Sequence, residues 1–152
     1  MNWEAIGAVG EIPGASGVVI TLLYLATQIR QSTRQARAGA YQTLTDTGAA
    51  IIQMIVQDKE MAHLWYMGLN GELCNAEPAE WTRFQLALGS WLEAMESIFM
   101  QHRLGGVDDE LFDSRMQIVK VFFQSSDVVR AWDQLRFTFS RSFSEYVDKN
   151  LR

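Results

Sequence analysis

The sequence predicts an all-α protein, an antiparallel bundle of four to six helices preceded by an N-terminal apolar helix that crosses a membrane. Three observations predict it. Apolar residues recur at intervals of three and four along most of the chain, the period of a helix face. Only two prolines, Pro13 and Pro78, interrupt 152 residues, so long stretches are free to hold helical hydrogen bonds. An uncharged run from Ile12 to Ile29 is followed at once by the one basic cluster, Arg30, Arg34 and Arg37.

The N-terminal run decides the expected domain organisation. Its 18 uncharged residues reach roughly 27 Å as a helix, close to the ~30 Å hydrocarbon core of a bilayer. Pro13 suits a first helical turn, where its missing N–H costs nothing. Trp3 is an amphipathic aromatic of the kind enriched at membrane interfaces, and it falls on a short stretch ahead of the span. A secretory signal is disfavoured, because Glu4 and Glu11 occupy the region that should be positive. Arg30, Arg34 and Arg37 follow the apolar run and predict an outside N-terminus with a cytoplasmic C-terminal domain. They share a helical face, but three charges fall short of the four to eight of a lipid-specific cluster, so they read as orienting residues.

Gly7, Gly10, Gly14 and Gly17 are spaced 3, 4, 3 and share one face of a continuous helix. Such a face lets another helix backbone approach closely, and it predicts self-association or packing on a partner helix. Residues 1–30 are therefore expected to form the anchor and residues 31–152 the bundle. Nothing between Gln28 and Gly39 breaks a helix, so the first helix can leave the membrane and continue to about residue 57.

The residues Ile6-Gly7-Ala8-Val9-Gly10-Glu11-Ile12, Leu22-Leu23-Tyr24-Leu25-Ala26, Gln28-Ile29-Arg30-Gln31 and Arg37-Ala38 resemble the opening of a bacterial family of small helical proteins with an N-terminal membrane segment. The similarity is strongest over residues 1–45. Pro13 departs from it, at a position that is otherwise aliphatic. The resemblance implies an anchored helical domain at a bacterial inner membrane. The family has no assigned activity, so it implies nothing about chemistry.

Beyond the anchor, the elements follow in order. Tyr41, Leu44, Gly48, Ile51 and Ile55 extend the first helix. Asp58 is a candidate N-cap for a short helix with Met61, Leu64 and Trp65, which Asn70-Gly71 ends. Residues 71–77 read as a loop. Pro78 opens the most regular helix, where Trp81, Phe84, Leu88, Trp91, Met95, Ile98 and His102 repeat as 3-4-3-4-3-4 until Gly105-Gly106. Asp108 is expected to cap a helix bearing Leu111, Phe112, Met116, Val119 and Phe123. Ser126 is expected to cap a last helix running through Val128, Trp132, Leu135, Phe139, Phe143 and Tyr146.

Catalytic signals are sparse. A net charge of −5 argues against a general nucleic-acid binder. A di-iron bundle site needs two Glu-x2-His motifs, and only Glu60–His63 matches. Glu93 and Glu96 flank the seam and need a cation such as Arg115 or Arg130 if they face inward. Cys74, the single cysteine, lies in the loop with no base beside it in sequence. No phosphate-binding glycine loop is present. The expectation is a non-catalytic scaffold or interaction module without cofactor or metal, its partners being the bilayer and a protein or second copy met through the glycine face. A ligand sensor built around Trp81, Trp91, Trp132 and Phe139 is the alternative. An enzyme gathering Glu60, His63, Glu93, Glu96 and His102 is the third class.

Overall fold

A computed structural model describes the backbone of residues 3–152. Within the first helix it describes the side chains of residues 17, 18, 20–33, 35, 39, 42 and 46, and then those of residue 48 onward. Six α-helices and one 3-10 turn account for the regular structure, with no strand among the described residues. They are α1 (Trp3–Gln57), α2 (Lys59–Asn70), α3 (Pro78–Arg103), α4 (Asp109–Phe122), α5 (Ser126–Leu135), the 3-10 turn Arg136–Thr138 and α6 (Arg141–Asn150). The all-α expectation holds. The chain divides into two compact units, Met1–Gly39 and Ala40–Arg152.

Local chemistry sets the helix ends. The Asp58 carboxylate accepts the Glu60 and Met61 backbone N–H groups at 2.9 and 3.1 Å, satisfying donors that α2 leaves without intrahelical partners. Gly71, at φ 74°, ends α2 in the left-handed region that favours glycine. Pro78 occupies the first turn of α3, and Glu77 and Glu80 close a reciprocal capping box around it. Asp108 accepts the Leu111 N–H at 2.8 Å to start α4.

Two boundaries differ from the sequence expectation. Ser125 rather than Ser126 caps α5, its hydroxyl accepting the Asp127 N–H at 3.2 Å. The helix expected to run from 126 through 146 is broken at residues 136–140. Ser140 supplies the reason. Its hydroxyl caps α6 through the Phe143 N–H, and its own N–H donates to Glu96 Oε1 at 2.7 Å. A tertiary acceptor thus replaces an intrahelical one, and the chain turns so that Phe139 and Phe143 both meet Trp132.

The core of the second unit is aromatic and continuous. Phe84, Leu88 and Leu92 of α3, Val119 of α4, Val128 and Trp132 of α5, and Phe143 and Val147 of α6 are fully buried. Each large side chain contributes roughly 1.5–3 kcal/mol on leaving water. The α3 seam is wider than its sequence stripe, because Ala87, Leu92, Ala94 and Phe99 are buried beside it. Trp132 keeps its one polar atom satisfied, donating from Nε1 to Asp148 at 2.9 Å.

The N-terminal expectation meets a different outcome. Residues 12–16 and 19 of the expected span lie outside the residues whose side chains are described. Among the described residues, no helix is long and apolar enough to cross a membrane. The transmembrane expectation therefore finds no support from them. The first helix ends at Gln57, as expected, but it starts at Trp3 and runs through Pro13, so Pro13 stands inside the helix rather than in its first turn and no separate stretch precedes it.

Candidate functional site

Three features of the described residues invite a functional reading: an exposed apolar stretch, a surface groove and a pinned loop.

The stretch is the part of α1 around residues 18–29. Val18, Ile20, Leu22, Leu23, Tyr24, Leu25 and Ile29 are between 45 and 67% exposed. At 100° per residue they point to every side of the helix. Its polar residues mostly bond inward. The Thr21, Thr27 and Thr33 hydroxyls donate to the backbone oxygens of Gly17, Tyr24 and Ile29 at 2.7–2.9 Å. Gln28 Nε2 donates to the Tyr24 hydroxyl at 3.1 Å. Side chains that return to their own helix leave fewer groups asking for water.

The sequence-derived site residues fall on this helix. Gly17 is exposed, and a Cβ added there meets open space. Arg30 is exposed. Trp3, Gly7, Gly10, Gly14, Arg34 and Arg37 lie outside the residues whose side chains are described.

The groove belongs to the second unit. It holds about 260 Å³ and is lined by Met54, Asp58, Met61, Arg83, Leu86, Ala87 and Ser90. Arg83 bridges one side, pairing with Asp58 at 3.0 Å and Glu60 at 3.2 Å. Both carboxylates thereby have a partner, and the three groups together carry one net negative charge. Ile52 and Val56, on the same stretch of α1 as Met54, are exposed apolar residues. Sequence reading placed Met61 in the core and found no groove, because the lining comes from three separate helices.

The pinned loop joins α2 to α3. Asp127 is only 4% exposed, and its Oδ2 accepts the Leu73 N–H at 2.7 Å. Its Oδ1 faces Arg130 Nη2 at 3.3 Å, and that nitrogen donates to the Leu73 carbonyl at 3.2 Å. The Arg130 guanidinium stacks over the Trp81 ring with Cζ 3.6 Å from the centroid. Arg130 Nε is buried without a hydrogen-bond partner among the described residues. Trp81 Nε1 donates to Gln134 Oε1 at 3.3 Å. The arrangement holds both backbone groups of a buried loop residue, which is a structural task. Neither Asp127 nor this role was legible in the sequence, where Asp127 looks like an ordinary acid in a first helical turn.

The remaining chemical candidates are dispersed. Glu60 is bound to Arg83, while His63 and Glu93 are exposed. Glu96 accepts the Ser140 N–H rather than pairing with Arg115 or Arg130. His102 lies 2.8 Å from Asp109 and stacks on Phe112. Cys74 is exposed and free. No group of three or more His, Cys, Asp or Glu side chains among the described residues could hold a metal ion. Trp81 packs on Phe84 and Trp91 on Phe122, with Trp65 against both rings, while Trp132 packs on Phe123, Phe139 and Phe143. No family model matches the chain, and neither a curated protein nor a solved structure matches it.

Proposed function

We propose that the protein is a membrane-anchored helical interaction module, with α1 as the anchor and the acidic bundle as the part that meets a protein partner. The observation that carries this reading is the exposure of Val18, Ile20, Leu22, Leu23, Leu25 and Ile29 on all sides of one helix. Bare in water, such a stretch loses about 25 cal/mol for each Å² of apolar surface that lipid would cover. The inward-bonded threonines and the Gln28–Tyr24 pair support the same medium. Residues 18–29 alone reach roughly 18 Å as a helix, so a full span draws on the residues before Gly17 as well.

The arginines after the stretch put the bundle on the cytoplasmic side of a bacterial inner membrane, with the N-terminus outside. Gly7, Gly10, Gly14 and Gly17 give that helix a side for a partner helix or a second copy. The bundle is proposed to act without catalysis, and its groove beside Met54 and Leu86 is where an apolar side chain of a partner would enter.

Fractionation tests the anchor. The full chain is expected in the membrane pellet and is released by detergent. Leu22→Lys combined with Leu25→Lys is expected to move it to the supernatant. Recovery of the unaltered chain in the supernatant without detergent would falsify the reading.

A further inference from the structure

Resting on that lipid reading, we propose that the exposed stretch of α1 and the arginines after it dock on an anionic lipid surface, sensing its total charge rather than the identity of its headgroup. The apolar side chains argue for lipid over a protein groove. Leu22, Leu23, Tyr24 and Leu25 follow one another in steps of about 100° around the axis and all are exposed. A groove covers one side of a helix, whereas an acyl medium covers every side.

Length then makes charge matter. The described apolar stretch does not cross a membrane by itself. Residues 18–29 reach only roughly 18 Å as a helix, so their own hold on lipid is modest and a second signal adds to it. The second signal is on the same helix. From Ile12 to Thr45 the chain has no acidic residue, and Arg30, Arg34 and Arg37 recur there at spacings of four and three. That spacing places them on one side of α1, whose backbone is helical throughout. Gln28, Gln31, Ser32 and Gln35 lie among them as exposed polar neighbours for headgroup oxygens. The rest of the charge opposes docking, since the chain after Arg37 carries ten basic and sixteen acidic residues. The complement to a negative surface is therefore confined to this segment. Three arginines are too few to select one lipid species.

Flotation of the full chain with vesicles tests the proposal. Three compositions are compared: phosphatidylcholine alone, and phosphatidylcholine with about one-third phosphatidylglycerol or about one-third phosphatidylserine, strongly anionic mixtures of the kind that attract basic segments. Binding to both anionic vesicles is expected to be equal and roughly 100-fold tighter than to neutral ones, about fivefold for each arginine. Most of the gain should vanish in ~1 M salt, where screening acts within about 3 Å. Replacing Arg30→Gln, Arg34→Gln and Arg37→Gln together is expected to abolish the gain while leaving neutral binding unchanged. Equal binding to neutral and anionic vesicles overturns the charge dependence and leaves the anchor standing. A preference between the two anionic lipids overturns the insensitivity to headgroup. Binding to no vesicle, with the chain self-assembled in lipid-free buffer, overturns this proposal and the anchor together.

Discussion

Asp127 shows what a single residue does in this fold. Its carboxylate answers a buried backbone N–H fifty-four positions away, at Leu73, and also faces Arg130. Removing it strands the Leu73 donor in a place water does not reach. Asp127→Ala is expected to lower stability by roughly 1–3 kcal/mol, towards the lower end because Arg130 is partly exposed and can recover solvent. Urea unfolding reads it as a reduced midpoint at unchanged slope. Asp127→Asn retains an acceptor for Leu73 and should cost less; an equal loss would mean that the ion pair dominates. Gly68 is a second residue whose role is invisible locally. It stands in the last turn of α2, still inside the helix where glycine is unfavourable, yet an added Cβ would overlap the Phe84 ring, and its carbonyl accepts the Ser125 hydroxyl at 2.6 Å.

At the scale of elements, the caps were largely legible. Asp58, Gly71, Pro78 and Asp108 act where the sequence placed them, because a cap is a local bond between neighbours a few residues apart. The break at Ser140 was not, because its decisive partner is Glu96 on α3. The Asp58 cap also sets a pH dependence. The Met61 N–H first, then the Glu60 N–H and the Arg83 guanidinium, hold its carboxyl below the ordinary aspartate value of 3.8 against a desolvation that acts the other way. A group with a depressed folded value stabilises fully above its unfolded value and stops doing so as pH falls through the folded one. The start of α2 should therefore lose protection below about pH 4, read as a fall in the ratio of intrinsic to observed amide exchange rates at Glu60 and Met61. Asp58→Asn should remove this acid response; its persistence would assign the response to another carboxyl.

At the scale of the whole molecule, two units follow from two kinds of surface. Ala40–Arg152 closes a core around Trp132, Phe84 and Phe143, while Met1–Gly39 includes the exposed apolar residues of the 18–29 stretch. A chain beginning at Ala40 retains Ile51 and Ile55, the buried α1 residues of that core. It is expected to melt within about 2–4 °C of the full chain, a shift worth roughly 1 kcal/mol, and to leave the membrane pellet. A collapse of its cooperative transition would show that the first unit stabilises the second. The acidic bundle and the basic stretch have opposite charge, so loss of membrane association should be complete rather than graded.

Amino-acid order by itself determined the helical class, the end of α1 at Gln57, most of the helix starts and the separation of a basic apolar segment from an acidic bundle. These are short-range properties, set by period, capping and charge within a few turns. Tertiary structure alone decided the Arg130–Asp127–Leu73 pin, the fit of Gly68 to Phe84, the turn at Ser140 and the groove between α1, α2 and α3. Each joins residues from different elements, and neither spacing nor composition carries the distance between two surfaces that meet only when the chain has packed.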